Sequence, residues 1–492
     1  MLKIRSMGLQ VYNTISGKKE DFQPVTDGKV KFYACGVTVY DYCHIGHARS
    51  AVVFDTLFRY LRAKGYDVTY VRNFTDIDDK IIRRSLEEKI PWKEVGEKYI
   101  SAFYEDMDAL RILRPTHEPR ATEHIDDMIE LVEMLLKKGH AYQAGGDVYF
   151  SIESYKGYGR LSKRPLDEMI AGARVEVDDK KKNPLDFVLW KASKPDEPSW
   201  DAPFGRGRPG WHIECSAMSM KFLGNPFDIH GGGKDLIFPH HENERAQTEA
   251  ATDTTFVKYW MHNGFVNIDK EKMSKSIGNT LQIRDFLREY HPEVLRLFFL
   301  STHYRSPIDY NEKSIEDTNS ALHRLYYTVE RALERIKTRD VSPLPHSDAD
   351  VLEKAFYEAM DDDCNTALAL AHVFELSKMI NKMVDEGDES SAPHIAYVNN
   401  LFLSLANLLG LLNDDLNTFE SQEKMRHLTR EGLQLSLLEE SIRERTEARK
   451  NKDYQKADEI RKMLLEKGII LLDSQKGTDW RVKNISITKG EK

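Results

Sequence analysis

The sequence predicts an α/β protein with a parallel-sheet core and an insertion domain, followed by an α-helical bundle and a small mixed α/β C-terminal domain. Apolar runs alternate with amphipathic helical runs over residues 9–79, the pattern of a parallel α/β core. Between residues 122 and 209 one helix gives way to short strands and turn glycines, which indicates an insertion. Beyond residue 317, apolar residues recur at three- and four-residue spacing, which predicts packed helices.

The first elements predict a βαβ unit. Residues 30–34 and 67–73 have the apolar character of strands, and residues 51–64 between them have the spacing of a crossover helix. Two strands joined in this way are parallel, and parallel sheets bind ligands at the carboxyl ends of their strands. Cys35 and residues 73–76 (Asn-Phe-Thr-Asp) follow or end these strands. We therefore expect a Rossmann-like core with these residues at its ligand-binding edge.

The later elements divide the rest of the chain. Apolar runs return near residues 227–230 and 256–266, so the core resumes after the insertion. In the tail, residues 441–467 predict two helices, and residues 468–473 and 480–486 predict two strands. The predicted boundaries are residues 1–121 and 210–262 for the two halves of the core, 122–209 for the insertion, 263–317 for a linker domain, 318–425 for the bundle and 436–492 for the C-terminal domain.

Composition bounds the function classes. The 492 residues are 40% hydrophobic and 31% charged with a net charge of -9, which describes a globular protein rather than a polycation. No apolar run approaches the roughly 20 residues of a membrane span, and residues 1–19 lack the apolar centre of a signal peptide. Four cysteines in so long a chain do not form a disulfide framework. We expect a cytoplasmic monomer with no membrane partner.

Residues 35–49 concentrate unusual chemistry in one predicted strand-to-helix turn. They are Cys-Gly-Val-Thr-Val-Tyr-Asp-Tyr-Cys-His-Ile-Gly-His-Ala-Arg. His44 and His47 lie near the predicted helix start, where imidazoles can donate hydrogen bonds to phosphate and the helix dipole favours an anion. The alternative is an ordinary βα turn with incidental histidines.

Residues 230–245 form a second informative stretch, His-Gly-Gly-Gly-Lys-Asp-Leu-Ile-Phe-Pro-His-His-Glu-Asn-Glu-Arg. We expect Gly231, Gly232 and Gly233 to make a flexible turn whose N–H groups face a nucleotide, and Pro239 to open a helix. On that helix His240 and Glu244 share a face, whereas His241 faces Arg245, which cannot bind a metal. The alternative is a surface pair of His240 and Glu244.

Two cysteines complete a possible zinc site. Cys35 ends the first predicted strand, and Cys215 lies in residues 211–218 (Trp-His-Ile-Glu-Cys-Ser-Ala-Met). Two thiolates, one imidazole and one carboxylate suit tetrahedral zinc, and the carboxylate suits a site that accepts an incoming donor. The alternative for each cysteine is a buried apolar side chain. We assign Cys43, and Cys364 within the bundle, to that class.

Residues 272–279, Lys-Met-Ser-Lys-Ser-Ile-Gly-Asn, predict a short cationic loop. Lys272 and Lys275 could neutralise charge that develops on a triphosphate during attack at the α-phosphorus. The chain has no GxxxxGK[ST] phosphate loop, which argues against transfer of a γ-phosphate. The alternative is a solvated surface loop.

These motifs together resemble the class I aminoacyl-tRNA synthetases, whose paired signatures are similar to residues 44–47 (His-Ile-Gly-His) and 272–276 (Lys-Met-Ser-Lys-Ser). The cysteinyl-tRNA synthetase family in particular is similar over the following segments, in the same order: 35–41, 73–79, 210–215, 231–244, 452–461 and 477–481. Cys364 stands where we expect a bulkier apolar residue. The resemblance covers residues 9 to about 482.

The resemblance implies specific roles. It implies one zinc ion held by Cys35, Cys215, His240 and Glu244. It implies contacts from His44 and His47 to the phosphates of ATP, and stabilisation of the transition state by Lys275. It also implies that residues 436–492 are an anticodon-binding domain, and that the two halves of the core form the catalytic domain. Zinc would separate cysteine from serine and alanine, which an apolar pocket distinguishes poorly.

The reaction that this implies is ligation of L-cysteine to tRNA(Cys) in two steps. The cysteine carboxylate attacks the α-phosphorus of ATP, bound with Mg²⁺, to give cysteinyl-adenylate and pyrophosphate. A terminal ribose hydroxyl of the tRNA then attacks the acyl carbon. We expect Gly36 and Thr75 to hold the amino acid, Trp211 to close over it, and Asp235 to bind the ribose or the amino group. The glycines at 231–233 would contact the nucleotide.

Two other functions stay open at this point. One is a ligase that activates cysteine and transfers it to an amino sugar in low-molecular-weight thiol synthesis, and the other is a non-catalytic tRNA- or zinc-binding paralogue. Residues 441–492 hold 14 Lys and Arg against 9 Asp and Glu, a net charge of +5, which favours a tRNA ligand. Trp480 and Arg481 could contact an unstacked base, although Trp480 could equally belong to a core.

Overall fold

The computed structural model describes residues 8–163, 179–272, 280–337, 341–387, 389–474 and 477–482. The backbone divides into two compact units. The first comprises the residues up to Asn267 together with the short segments His303–Ile308 and Glu358–Asn365. The second comprises Ile268–Thr302, Asp309–Tyr357 and the residues from Thr366 onward. Among the residues described, no helix has both the length and the apolar character needed to cross a membrane.

A four-stranded parallel sheet forms the centre of the first unit. Its strands lie in the order β10-β9-β3-β4. Their bounds are β3 Lys29–Thr38, β4 Asp67–Thr75, β9 Phe227–Gly233 and β10 Val257–Asn263. Helix α1 (Ile45–Ala63) connects β3 to β4, so the predicted βαβ unit and parallel sheet are confirmed. A parallel sheet covered on both faces requires strands without alternation, and Phe32, Tyr33 and Ala34 of β3 are consecutive buried residues.

Helices and a small antiparallel sheet surround this core. The helices are α2 (Asp79–Glu88), α3 (Trp92–Ala109), α4 (Ile125–Lys137), α5 (Trp211–Leu223) and α6 (Glu242–Thr252). An N-terminal hairpin joins β1 (Gln10–Asn13) and β2 (Lys18–Asp21). The antiparallel sheet has the order β5-β6-β7-β8, with β5 Ala141–Ala144, β6 Asp147–Phe150, β7 Phe187–Ala192 and β8 Gly207–Pro209. The predicted return from short strands to the parallel core is therefore confirmed.

The second unit is mainly helical. Its helices are α7 (Ile283–Glu289), α8 (Pro292–Leu300), α9 (Glu312–Ile336), α10 (Ser347–Asp361, whose last turn belongs to the first unit), α11 (Thr366–Glu386), α12 (Ala392–Leu408), α13 (Leu416–Arg430), α14 (Leu435–Lys450) and α15 (Tyr454–Glu466). The antiparallel strands β14 (Ile469–Ser474) and β15 (Gly477–Val482) follow. Three further short strands are β11 (Val266–Ile268), β12 (Glu271–Lys272) and β13 (Ile308–Tyr310). The helical region and the mixed α/β tail are as predicted.

One position differs from the prediction. We expected Cys364 within the bundle, but the segment Glu358–Asn365 belongs to the first unit. Its anchor is the buried Asp363 carboxylate, which accepts hydrogen bonds from the backbone N–H of Tyr12 (2.7 Å), the hydroxyl of Tyr304 (2.8 Å) and the guanidinium of Arg305 (2.7 Å). A saturated carboxylate holds this segment in place, and Cys364 lies buried beside it.

Candidate active site and metal centre

Cys35 lies at an irregularity inside β3, not after its end. The register of β3 against β4 shifts between Ala34 and Val37, so Cys35 and Gly36 occupy the bulge. The N–H of Gly36 donates to Oδ1 of Asn73 at 2.9 Å. A Cβ atom at Gly36 would lie 1.6 Å from the carbonyl oxygen of Asn73, so only glycine allows this approach of the two strands. The bulge thereby directs Cys35 to the carboxyl edge of the sheet.

Cys215 comes from helix α5, which begins after Gly210. A Cβ at Gly210 would lie 2.1 Å from the carbonyl oxygen of Val188, so the helix starts in close contact with β7. Cys215 is buried, with its Sγ 3.7 Å from Sγ of Cys35 and 3.6 Å from Nε2 of His240. Its Sγ also lies 3.8 Å from Oδ1 of Asn73. Asn73 therefore contacts both the bulge and this second thiol.

His240 and Glu244 come from the segment that leads into α6. The helix was predicted to open at Pro239, but it begins at Glu242, after a wide turn over Ile237–His241 in which Phe238 has extended backbone angles. His240 and Glu244 nevertheless meet as their spacing predicts, with Nε2 2.9 Å from Oε1. The same Oε1 lies 3.4 Å from Sγ of Cys35.

The four predicted ligand residues therefore converge: Cys35, Cys215, His240 and Glu244 present their donor atoms within 4.8 Å of one another. Tetrahedral zinc requires about 3.8 Å between two sulfurs, about 3.5 Å between sulfur and nitrogen or oxygen, and about 3.3 Å between nitrogen and oxygen, from the usual bond lengths. The observed separations are 3.7 Å for the two sulfurs, 3.6 and 3.4 Å for the two sulfur contacts, and 2.9 Å for the nitrogen and oxygen. The residues present fit the ion.

The pKa values of the buried thiols and of His240 also favour a cation at this site. Burial raises the pKa of Cys35 well above its ordinary value, while the hydrogen bond from Cys35 lowers the pKa of Cys215 to about 6. Burial alone would lower the pKa of His240, but Glu244 and Cys215 outweigh it and raise that pKa to about 10. A buried thiolate beside a buried carboxylate requires a cation.

Further histidines contact the predicted ligands, and the sequence analysis assigned these histidines no role. Nδ1 of His240 lies 2.9 Å from Nδ1 of His212, and Oε2 of Glu244 lies 2.8 Å from Nε2 of His230. The indole of Trp211 stacks on the His240 ring with 4.1 Å between ring centres. Groups that hold the second atom of a ligand fix its orientation. The only signal in the sequence was the density of histidines near the predicted ligands.

His241 has a different neighbour from the one predicted. Its Nε2 lies 3.3 Å from Sγ of Cys35, and its Nδ1 lies 2.8 Å from Nε2 of His262. Arg245 points elsewhere, since its guanidinium donates to the carboxylate of Glu249 at 2.9 Å and to the carbonyl of Gly157 at 3.0 Å. The spacing argument that set His241 against Arg245 failed because the turn before α6 is not a regular helix.

The glycines at 231–233 do not form the flexible turn that we predicted. They are the last three residues of β9 and pair with β10. A Cβ at Gly231 would lie 2.4 Å from the ring of Phe54, and one at Gly232 would lie 2.8 Å from the ring of His241, so side-chain packing demands glycine there. Asp235 follows and is exposed.

His44 and His47 form the N-terminus of α1 as predicted. Nδ1 of His44 accepts from the N–H of Gly46 at 3.2 Å, and Nδ1 of His47 accepts from the N–H of His44 at 3.2 Å. The two rings stack with 3.8 Å between their centres. Capping by Nδ1 fixes both rings at the positive end of the helix dipole, where an anion is favoured.

Thr75 lies at the end of β4 and its hydroxyl donates to Oε2 of Glu214 at 2.7 Å. Glu214 is buried, and this burial raises its pKa well above the usual range. The amide of Asn73 approaches the Thr75 oxygen at 3.5 Å. Gly36, Thr75 and Asn73 are thus linked at one edge of the sheet.

The remaining predicted residues are Lys272, Lys275, Trp480 and Arg481. Lys272 ends β12 in the second unit, and Lys275 lies outside the described residues. Trp480 is 9% exposed and packs in the apolar core of the C-terminal region, against residues that include Leu428 and Leu471. This burial favours the core interpretation of Trp480. Arg481, the next residue, is partly exposed.

Family descriptions match the chain in three places. The one described as tRNA synthetases class I (C) catalytic domain matches residues 21–320, a DALR domain matches residues 355–413, and one described as Cysteinyl-tRNA ligase anticodon binding domain matches residues 439–481.

Curated relatives are similar over nearly the whole chain. A protein of Pelobacter propionicus named Cysteine--tRNA ligase is 52% identical over 493 residues, and one of the same name from Geobacter metallireducens is 52% identical over 485 residues. Both alignments cover 97% of this chain and 100% of the relative.

Solved structures share the fold at lower identity. A Mycobacterium tuberculosis methionyl-tRNA synthetase in complex with methionyl-adenylate matches 83% of this chain and 95% of its own, with a TM-score of 0.56 and 16% identity. The Agrobacterium radiobacter LeuRS, in a ternary complex with tRNA and LeuAMS, matches 82% of this chain and 86% of its own, with a TM-score of 0.60 and 12% identity. The fold of the chain is therefore that of the class I synthetases.

Proposed function

Because the chain belongs to the cysteinyl-tRNA synthetase family and ligates cysteine to tRNA, we propose that it recognises cysteine through a zinc ion held by two thiols, one imidazole and one carboxylate. The ligands are Cys35, Cys215, His240 and Glu244. The supporting observation is that their donor atoms lie within 4.8 Å of one another, at separations of 3.7, 3.6, 3.4 and 2.9 Å for four of the pairs, close to those in tetrahedral zinc sites.

Cysteine, serine and alanine differ too little in size for an apolar pocket to separate them well. When bound, zinc supplies a soft Lewis acid that takes a thiolate in preference to a hydroxyl or a methyl group. The protein's part is to hold the donor atoms fixed. His212 and His230 do so by occupying the second nitrogen of His240 and the second oxygen of Glu244.

The amino acid would bind at the edge that joins Gly36, Thr75 and Trp211. The Thr75 proton is donated to Glu214, so the hydroxyl oxygen can accept a hydrogen bond from the substrate ammonium. Gly36 is partly exposed in the bulge of β3, so its backbone would be accessible to the amino acid. Trp211 is 38% exposed beside the ring of His240, so it can cover a side chain that reaches the metal.

Activation would follow by attack of the cysteine carboxylate on the α-phosphorus of ATP bound with Mg²⁺, giving cysteinyl-adenylate and pyrophosphate. His44 and His47 would contact phosphate at the start of α1, and Lys272 and Lys275 would supply positive charge to the transition state. Residues 231–233 would leave the strand end open to the nucleotide, and Asp235, which is exposed, would bind its ribose or the substrate amino group.

The C-terminal region would bind the tRNA. Residues 439–481 match an anticodon-binding domain, and the tail of residues 441–492 has a net positive charge by sequence. Since Trp480 belongs to the core, Arg481 is the better candidate for contact with RNA. A thiol-synthesis ligase that acts on an amino sugar has no need of such a domain. The cytoplasmic monomer stays a prediction.

The test exchanges one thiol. We expect Cys215→Ser to lose the zinc of the purified full-length protein and to raise the cysteine KM in pyrophosphate exchange, since serine oxygen is a poor zinc ligand. Cys43→Ala, which changes a buried thiol outside the set, should retain zinc and is the matched control. Retention of both zinc and the wild-type KM in Cys215→Ser would overturn the proposed ligand set.

A further inference from the structure

Cys35 and Glu244 belong to a second group of potential metal ligands. Together with His230 and His241 they place four donor atoms within 4.8 Å of one another. Nε2 of His241 lies 3.3 Å from Sγ of Cys35 and 4.0 Å from Oε1 of Glu244. Nε2 of His230 lies 2.8 Å from Oε2 of Glu244.

We propose that this second group, the rear site, binds a second divalent ion such as zinc. It shares Cys35 and Glu244 with the front site, which is the proposed zinc site of Cys35, Cys215, His240 and Glu244. The proposal rests on the proposed function in that the front site must hold the first ion. The Glu244 carboxylate already divides between the two groups, because Oε1 lies 2.9 Å from the His240 nitrogen and Oε2 lies 2.8 Å from the His230 nitrogen. A carboxylate can bridge two ions through its two oxygens, and a thiolate sulfur can bridge as well.

The tautomer of His241 suits a ligand. Its Nδ1 lies 2.8 Å from Nε2 of His262, whose Nδ1 lies 2.8 Å from the hydroxyl of Thr14. If His241 donates from Nδ1 to His262, and His262 donates from Nδ1 to Thr14, both hydrogen bonds in this series are made and Nε2 of His241 keeps a lone pair. Ligating histidines usually donate their other N–H to such a partner. In that tautomer the unprotonated Nε2 of His241 faces Sγ of Cys35.

His230 has a complementary feature. Its side chain is fully buried, and among the described residues its Nδ1 has no hydrogen-bond partner. To bind a cation through Nε2, neutral His230 would carry its proton on Nδ1 and would exchange its hydrogen bond to Glu244 for the ion. Stacking on Trp260, with 4.8 Å between ring centres, fixes the ring.

The rear site is the weaker of the two. It offers one thiolate where the front group offers two, and its donors satisfy each other by hydrogen bonds when no ion is bound. A second ion therefore binds only after the first and at higher concentration. It also shares the Cys35 and Glu244 donors with the front site, so each of the two ions receives less electron density from them than the front ion would receive alone.

The experiment titrates metal-free full-length protein with Co²⁺. We expect two equivalents to bind, the first giving a thiolate-to-cobalt charge-transfer band, and the second reducing the electron paramagnetic resonance signal because bridged ions couple. His241→Gln should bind one equivalent only, with the charge-transfer band intact, and His230→Gln should do the same from the opposite side of the site. His140→Gln, which alters a histidine bonded to Ser154 and outside both groups, should keep two equivalents.

Two results would overturn the rear site. One is a single equivalent in the wild-type protein, and the other is a second equivalent that survives both histidine substitutions or leaves the resonance signal uncoupled. These results are separate from failure of the proposed function. That failure would appear as a first equivalent that persists with an unchanged charge-transfer band in Cys215→Ser.

Discussion

Two clusters of histidine and carboxylate in this chain have similarly close side chains. They differ in which groups donate hydrogen bonds to the buried glutamate. In the second unit, His291, Glu293 and Asp414 bring their potential ligand atoms within 4.8 Å, as the Glu244 cluster does. The Glu293 carboxylate, however, accepts the backbone N–H groups of Leu412 (2.8 Å) and Asn413 (3.0 Å). His291 caps α8 by accepting the N–H of Glu293 at 3.2 Å.

The Glu244 cluster has the opposite character. Among the described residues, the groups that hydrogen-bond to its carboxylate are the imidazoles of His230 and His240 and the thiol of Cys35. Each of these groups can bind a metal once the binding atom has lost its proton. Backbone N–H groups cannot be displaced in this way without breaking the fold. A carboxylate held by peptide N–H groups is therefore part of the scaffold, whereas one held by imidazole and thiol can exchange its partners for an ion.

The largest expected effect follows from the same substitution made in both clusters. Glu244→Gln removes a proposed ligand, so we expect zinc affinity to fall by at least about 100-fold, beyond the loss typical of a residue that only orients a ligand. Glu293→Gln places an amide NH₂ against existing donors, so we expect a loss of about 2 kcal/mol in the free energy of unfolding. Metal analysis and urea denaturation measure the two effects.

The comparison would fail if the effects exchanged places. Loss of zinc from Glu293→Gln, or unchanged zinc affinity in Glu244→Gln, would mean that proximity and not the source of the protons decides which cluster binds metal. The two variants serve as controls for each other, because each changes one buried carboxylate to the isosteric amide.

A second prediction concerns acid stability in the second unit. The buried carboxylate of Glu423 lies 2.9 Å from Nε2 of His323, and although burial opposes it, His323 and His291 keep the pKa of Glu423 below its usual value. The contribution of ionised Glu423 to the free energy of unfolding is therefore complete above the pKa of glutamate in the unfolded chain, about 4.3. It is lost as pH falls through the lower pKa of Glu423 in the folded protein. Each unit of depression corresponds to about 1.4 kcal/mol.

Glu423→Gln provides the measurement. The difference in urea midpoint between wild type and this variant should be largest near pH 7 and should shrink as pH falls below about 4. A difference that stays constant with pH would show that the variant acts through packing alone. The Glu244 cluster adds nothing to this difference, because both proteins contain it unchanged.

How far the sequence predicts this molecule depends on the range of each interaction. The strands around Cys35 and the helix after it depend on local apolar spacing, and the structure matches them. Residues 231–233 were misinterpreted as a turn because Phe54, which fills the space beside Gly231, is far away in sequence. For the same reason the pairing of His230 with Glu244 carries no local signal.

The candidate site divides in the same way. Cys35 and Cys215 were predicted as ligands from residue type, and the structure brings their sulfurs together, whereas the partner of His241 was mispredicted because the helix start was assumed regular. Burial of Trp480 could not be predicted, since core and stacking aromatics have the same sequence character. The sequence shows which residues can act as metal ligands, but it does not show how their side chains are oriented in the fold.

The smallest expected effect tests how the Glu293 cluster is satisfied. The hydroxyl of Tyr326 donates to Oε2 of Glu293 at 3.1 Å and accepts the N–H of Asp414 at 3.3 Å. Tyr326→Phe keeps the ring, which stacks on Phe419, and removes both hydrogen bonds, so we expect a loss of about 1 kcal/mol and unchanged zinc content. Tyr327→Phe, at a partly exposed neighbour, is the control and should change stability by less than about 0.5 kcal/mol.

A loss of only about 1 kcal/mol in the free energy of unfolding of Tyr326→Phe would follow because other donors also compensate Glu293. Glu293 keeps two backbone N–H donors when the hydroxyl is gone, so its charge stays compensated. Within the part of the chain that the structure describes, the partners of the Glu244 carboxylate are side chains, so no backbone donors compensate it when one of them is removed. A loss of several kcal/mol in Tyr326→Phe would mean that the backbone donors alone do not compensate Glu293, and the distinction between scaffold and metal-binding carboxylates would then be one of degree.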